Sequence, residues 1–143
     1  MLVEQISVFL ENKSGRLSEV TAILTEAGVN IRALALADTS DFGVLRLIVD
    51  NKDKAIDALK DNGFTVGKTQ VLAVEVEDRP GGLNSIMEIL KANKINVEYM
   101  YAFVRHTGKN AVMIFRFDNI AVATEVLNSK GVAILNEAQL NAL

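Results

Sequence analysis

The sequence predicts an α+β protein made of two successive copies of one βαββαβ unit. Two observations carry this. The chain repeats itself at a nearly constant offset, and within each copy the hydrophobic period switches between strand and helix values in a fixed order. Placing Glu11–Ala35 over Glu77–Tyr101 pairs Glu11 with Glu77, Gly15 with Gly81, Leu17 with Leu83 and Asn30 with Asn96 at a shift of 66 positions. After a two-residue insertion the shift is 68, and Val44 pairs with Val112, Asp50–Asn51 with Asp118–Asn119, and Gly63 with Gly131. The 143 residues therefore divide into halves at 1–68 and 69–143. A unit of about 70 residues is marginal alone, so the halves are expected to pack side by side.

Each element follows from the local pattern. Ile6, Val8 and Leu10 alternate with Gln5, Ser7 and Phe9, giving a strand with one buried face, and Leu72, Val74 and Val76 keep the same phase. Leu17, Val20, Leu24 and Ala27 form a helical stripe stopped by Gly28, and Leu83, Ile86 and Leu90 copy it. Strands at Ile31–Asp38 and Val97–Arg105 lead into turns at Asp41–Gly43 and Thr107–Gly108. Leu45, Leu47 and Val49 then alternate with Arg46 and Ile48, as Met113, Phe115 and Phe117 do with Ile114 and Arg116. A second helix in each half, at Lys52–Asn62 and Ile120–Ser129, ends at Gly63 or Gly131 before a short last strand. This is the ferredoxin-like split βαβ order, with two helices over one face of an antiparallel four-stranded sheet.

Composition excludes much chemistry. Half of the residues are hydrophobic and 23% are charged, as in a globular protein. Fifteen basic against eighteen acidic side chains leave a net charge of −3 with no long block of either sign, which disfavours a nucleic-acid partner. There is no cysteine, so thiolate ligands and nucleophiles are excluded; His106 is the one histidine and is expected in an exposed turn. No metal and no cofactor is expected. No nucleophile–base pair can be assembled, so the chain is expected not to be an enzyme. The start lacks a basic region before an apolar core, and no apolar run approaches the roughly 18 residues of a membrane span. The expected location is cytoplasmic, without membrane association.

The informative segment joins the first strand to the first helix. It reads Glu-Asn-Lys-Ser-Gly-Arg-Leu at Glu11–Leu17 and Glu-Asp-Arg-Pro-Gly-Gly-Leu at Glu77–Leu83. A helix N-terminus leaves N–H groups unpaired and carries about half a positive charge, which suits a carboxylate. Gly15, Gly81 and Gly82 allow close approach to the backbone. Asp78 offers a carboxylate to an ammonium group, and Asn12 an amide oxygen at the matching position. An α-amino acid carries that anion and that cation on one carbon. Asn30 and Asn96, at the start of the second strand, are candidates to hydrogen-bond across the same crevice; both also suit a helix terminus.

With Gly-Val-Asn-Ile at Gly28–Ile31 and Lys-Ile-Asn-Val at Lys94–Val97, these loops resemble the ACT domain, a regulatory module that binds amino acids. In that pattern Asn/Asp-x-Pro-Gly-x-Leu opens the first helix and Gly-Val/Ile-Asn-Ile opens the second strand. Two copies cover essentially the whole chain, as in small stand-alone tandem ACT proteins. Ser14 replaces the usual Pro, which is tolerable because Ser can cap a helix; Lys94 replaces the usual Gly. The resemblance implies a ligand site at an interface between ACT units. It assigns binding to Asn12, Lys13, Ser14, Gly15, Arg16, Leu17 and Asn30, and to Asp78, Arg79, Pro80, Gly81, Gly82, Leu83 and Asn96. Tyr99 and Tyr101, which share one side of a strand, become candidate walls for the first loop.

The expected function is a non-catalytic amino-acid sensor acting as a homodimer. Phe9, Leu34, Leu36, Ile48 and Ile114 are assigned to the sheet face that the helices leave uncovered, as a self-association surface. The alternative is a regulatory subunit with a biosynthetic enzyme as partner, because Val8–Leu34 also resembles the acetolactate synthase small subunit. RNA binding needs aromatic residues on the central strands, and Ala73-Val74-Glu75 supplies none. Gly63–Thr69 imitates a phosphate loop, but has three residues between its glycines and lies between a helix and a strand, the reverse of the required context. Asn12-Lys-Ser14 fits a glycosylation sequon that a cytoplasmic chain does not use.

Overall fold

In a computed structural model, the described residues are 2–38, 40–103, 108 and 110–143. The chain forms two compact units, Glu4–Thr69 and Gln70–Leu143 together with Leu2 and Val3. The expected turn at Thr107, the strand end at Arg105 and His106 lie outside the described residues.

The first unit contains β1 (Val3–Glu11), α1 (Arg16–Glu26), β2 (Ile31–Asp38), β3 (Phe42–Val49), α2 (Lys52–Asp61) and the start of β4 (Thr65–Glu77). Its strand order is β2-β3-β1-β4, with β1 and β2 both antiparallel to β3. The inward-facing residues of β1 and β3, among them Val8, Leu45 and Leu47, pack under Val20 and Leu24 of α1 and Ala55 and Leu59 of α2. Burying one such leucine contributes about 1.5–3 kcal/mol. The Asn51 side chain starts α2 by accepting the Lys54 N–H at 3.2 Å.

The second unit repeats this with the rest of β4, α3 (Gly82–Ala92), β5 (Val97–Ala102), β6 (Asn110–Phe117), α4 (Ile120–Ser129) and β7 (Ile134–Leu135). Its strand order is β5-β6-β4-β7, again antiparallel. Leu72, Val74, Phe115 and Phe117 meet Ile86, Leu90, Ala123 and Leu127 in its core, and the Phe115 and Phe117 rings stack 5.4 Å apart. Asn119 caps α4 as Asn51 caps α2, accepting the Val122 N–H at 3.2 Å.

Three features depart from expectation. The last strand of the first half and the first strand of the second are one continuous strand, β4, without a loop at the junction. A short α5 (Glu137–Asn141) follows β7, started by a capping box between Asn136 and Gln139 and anchored by buried Leu140. The five apolar residues assigned to an uncovered sheet face do not form one patch. Ile48 and Ile114 are buried, whereas Leu34 and Leu36 stand opposite Leu47 and Leu45 and so share the helix-covered face of the sheet. A register shift between Ile31 and Ala33 sets that phase, and Leu34 and Leu36 stay exposed on β2, the outermost strand of the order.

Candidate functional site

Both β-to-α loops reach their helix through a left-handed glycine, Gly15 at φ 89° and Gly81 at φ 88°, a conformation that side-chain-bearing residues avoid. Gly15 and Gly81 are themselves the N-caps, and neither helix has a side-chain cap. Ser14 therefore does not cap α1, because the backbone already turns at the next residue. The first helical bonds run from the Glu19 and Ser85 N–H groups to the Gly15 and Gly81 carbonyls, each at 3.0 Å. Among the described residues, the N–H groups of Leu17 and Ser18, and of Leu83 and Asn84, have no hydrogen-bond acceptor. Each loop thus presents two unpaired donors at the positive end of a helix.

The two loops differ in tightness and in charge pairing. In the second, the Gly82 N–H donates to the Arg79 carbonyl at 3.0 Å; the matching Arg16 N–H reaches Lys13 at 3.4 Å. Gly82 is buried against the Glu77 backbone, where a side chain has no room. In the first loop that position is Arg16, whose guanidinium donates to Glu11 at 2.8 Å and to Glu19 at 2.9 Å, while Lys13 lies 3.4 Å from Glu11. In the second loop Glu77 pairs with Arg79. The hydrogen bond from Arg16, then that from Lys13, holds the Glu11 carboxyl below the usual carboxylate range, and the bond to Glu11 raises Arg16 in turn.

The second loop opens onto a cleft of 430 Å³ lined by Asp78, Arg79, Pro80 and Leu83 together with Val76 and Met113. Sequence reasoning selected the loop residues but missed Val76, at the end of β4, and Met113, which the pairing of β4 with β6 delivers from some thirty positions away. Asn30 and Asn96 do not join the loop of their own unit. They sit beside Val49–Asp50 and Phe117–Asp118, whereas the loops adjoin Phe42 and Asn110 at the other end of the same strands. Eleven-residue helices separate the two ends, about 16 Å at 1.5 Å per residue. Nor do these asparagines terminate helices in the left-handed region, since Gly28 and Lys94 hold those conformations. Their N–H groups instead donate to Asp50 and Asp118 at 2.9 and 3.2 Å, and the Asp50 and Asp118 N–H groups donate back to the Asn30 and Asn96 carbonyls. The matched pairs Asp50–Asn51 and Asp118–Asn119 are thus strand-to-helix clamps. Tyr99 and Tyr101 stand opposite Arg116 and Ile114 on the face of the second sheet turned away from its helices; Tyr101 is buried and Tyr99 half-buried. Among the described residues, no group of three or more His, Cys, Asp or Glu side chains is placed to hold a metal ion, and no helix is long and apolar enough to cross a membrane.

A family model described as an ACT domain pair matches residues 1–143. The chain belongs to the ACT domain pair family. It is similar over its whole length to a protein of known crystal structure from Bacteroides thetaiotaomicron, 42% identical with a TM-score of 0.93 and covering 98% of that chain. The regulatory subunit of aspartate kinase from Thermus thermophilus, in its ligand-free form, shares the fold with a TM-score of 0.62 at 15% identity, over 88% of this chain and 91% of that one. An acetolactate synthase small subunit from Buchnera aphidicola is 24% identical over 114 residues, 80% of this chain and 56% of the relative. The chain therefore spans a little over half the length of that relative. In this pair of regulatory ACT units, Gly15 and Gly81 make the same left-handed turn in both copies. The two units differ at the end of the first helix, where Lys94 takes a left-handed φ of 54° and Gly28 one of 70°.

Proposed function

We propose that this ACT pair is a non-catalytic, cytoplasmic regulatory protein that binds a free α-amino acid at its first-helix loops. The observation that carries the reading is the second loop. There Asp78, Leu83, whose N–H has no acceptor among the described residues, and an apolar wall of Val76 and Met113 line one cleft. A carboxylate ligand completes the helix N-terminus, an ammonium group is matched by Asp78, and the side chain is left to the apolar wall. Asn12 and the Leu17 and Ser18 N–H groups offer a second, less charged version in the first unit. Thermal-shift screening against the twenty amino acids tests this, because a ligand of the native state raises apparent stability. A rise confined to one or a few amino acids is expected, and no rise with any of them at millimolar concentration refutes the reading.

The second reading, a subunit that regulates a biosynthetic enzyme, is favoured by the match to an acetolactate synthase small subunit. It is compatible with the first and demands a stoichiometric enzyme partner in a pull-down. Self-association is proposed as well. Exposed Leu34 and Leu36 lie on β2, and a sedimentation experiment showing a monomer with and without ligand counts against a homodimer.

A further inference from the structure

The first unit holds a second cleft, of 240 Å³, between the end of β1, the start of α1 and the turn that leads into β4. Phe9, Phe42 and Phe64 form its walls, and Glu11, Arg16 and Asn62 edge it. The second unit has a cleft at the matching place, of 350 Å³, so the fold makes this space in both copies. Its chemistry there is different. The positions of Phe9 and Phe42 are taken by Glu75 and Asn110, which hydrogen-bond at 3.1 Å, and those of Phe64, Asn62 and Arg16 by Val132, Lys130 and Gly82. The βαββαβ unit thus folds without aromatic walls at this place. In the first unit Phe9 and Phe42 are nonetheless 50% and 61% exposed, an apolar surface that core packing does not explain. They share a face: Phe42 stands opposite Glu11 on β1, and Phe9 lies two residues before it.

The charges at the rim narrow the ligand. Glu11 and Glu19 balance Lys13 and Arg16, so the cluster has no net charge and a ligand with no net charge leaves it balanced. Arg16 has five N–H donors, of which two are used in its ion pairs and the others meet no described residue. A volume below the ~300–1,000 Å³ of drug-sized pockets calls for a small molecule.

We infer that this cleft is an amino-acid subsite selective for an apolar side chain, with the carboxylate on Arg16, the ammonium on Glu11 and the side chain against Phe9, Phe42 and Phe64. The inference rests on the amino-acid reading above and gives the first unit a ligand chemistry of its own. The test is calorimetry of the full chain in the Asp78→Ala background, which weakens the second loop, with leucine, phenylalanine, serine and aspartate, and with the 2-oxo acid of leucine. Leucine or phenylalanine is expected to bind at least about tenfold tighter than serine, aspartate or the oxo acid. Adding Phe42→Asn, which copies the residue of the second unit, is expected to remove that preference while circular dichroism stays unchanged. Preference for a polar side chain, or leucine binding that Phe42→Asn leaves intact, overturns the inference. Amino-acid binding to the unsubstituted protein that disappears in Asp78→Ala overturns it too, with the amino-acid reading standing. Absence of binding by every amino acid in both backgrounds overturns both.

Discussion

A Cβ placed on Gly82 would lie 1.9 Å from the Glu77 carbonyl oxygen. The neighbour is backbone, so relief requires the second loop to move off the start of α3. Gly81, one residue earlier, has open space around its Cβ position and is constrained by its φ of 88° alone. Gly82→Ala is therefore expected to cost about 3 kcal/mol or more, the upper end of overpacking penalties. Gly81→Ala should cost about 1–2 kcal/mol, the penalty of a left-handed alanine. Urea unfolding of the two variants checks the order, and equal losses would contradict the close approach.

Lys94 gives a prediction of opposite sign. It ends α3 at φ 54°, where the first unit has Gly28. A left-handed lysine costs about 1–2 kcal/mol, whereas glycine adds about 0.5–1 kcal/mol of chain entropy in the unfolded state. Lys94→Gly is thus expected to stabilise the protein by about 0.5–1 kcal/mol, read as a higher urea midpoint at unchanged slope. A lower midpoint would mean that the lysine side chain contributes more than its backbone costs.

The duplication, the order of elements and the phase of β1, β3 and the helices were legible because period and spacing are local properties of the chain. Leu45 and Leu47 face the helices wherever their strand lies in the sheet. The phase of β2 was not legible. Its run Ile31–Asp38 alternates leucine with alanine, and the register shift after Ile31 decides which set faces the helices. The glycine turns of the site were legible for the same local reason. Val76 and Met113 were not, because a cleft wall is set by which strands pair, and neither were the placements of Asn30 and Asn96 at the far end from the loops. Five-residue α5 is too short to show a period.

Acid should weaken the first unit through Glu4. Its carboxylate accepts from Lys52 at 2.6 Å, with Lys68 4.0 Å away, and the Lys52 hydrogen bond is the main cause of a pKa held below the ordinary 4.5. A carboxyl depressed in the folded state contributes stability above its unfolded pKa, and loses that contribution as pH falls through the folded value. The pair is partly exposed, so its worth at neutral pH is about 0.2–1 kcal/mol and is screened by salt. Lys52→Met is expected to lower stability by that amount at pH 7 and to match the wild type near pH 2. A difference that persists in acid would assign the loss to packing.

Asp78 and Asn12 occupy matching positions in the two loops, and their chemistry predicts unequal sites. A hydrogen bond between charged groups contributes about 1.5–3 kcal/mol, against roughly 1 kcal/mol for a neutral pair. An ammonium group is therefore expected to gain more from the Asp78 carboxylate than from the Asn12 amide, while either loop offers a ligand carboxylate two N–H groups that have no acceptor among the described residues. Asp78 is exposed and outside both apolar cores, so Asp78→Ala should leave the fold intact. It is expected to weaken amino-acid binding at the second loop about tenfold or more, which corresponds to about 1.4 kcal/mol. Asn12→Ala should change binding at the first loop by less. Calorimetry on the two single variants separates these effects. Affinities unchanged in both would make the loops structural turns and place any ligand elsewhere.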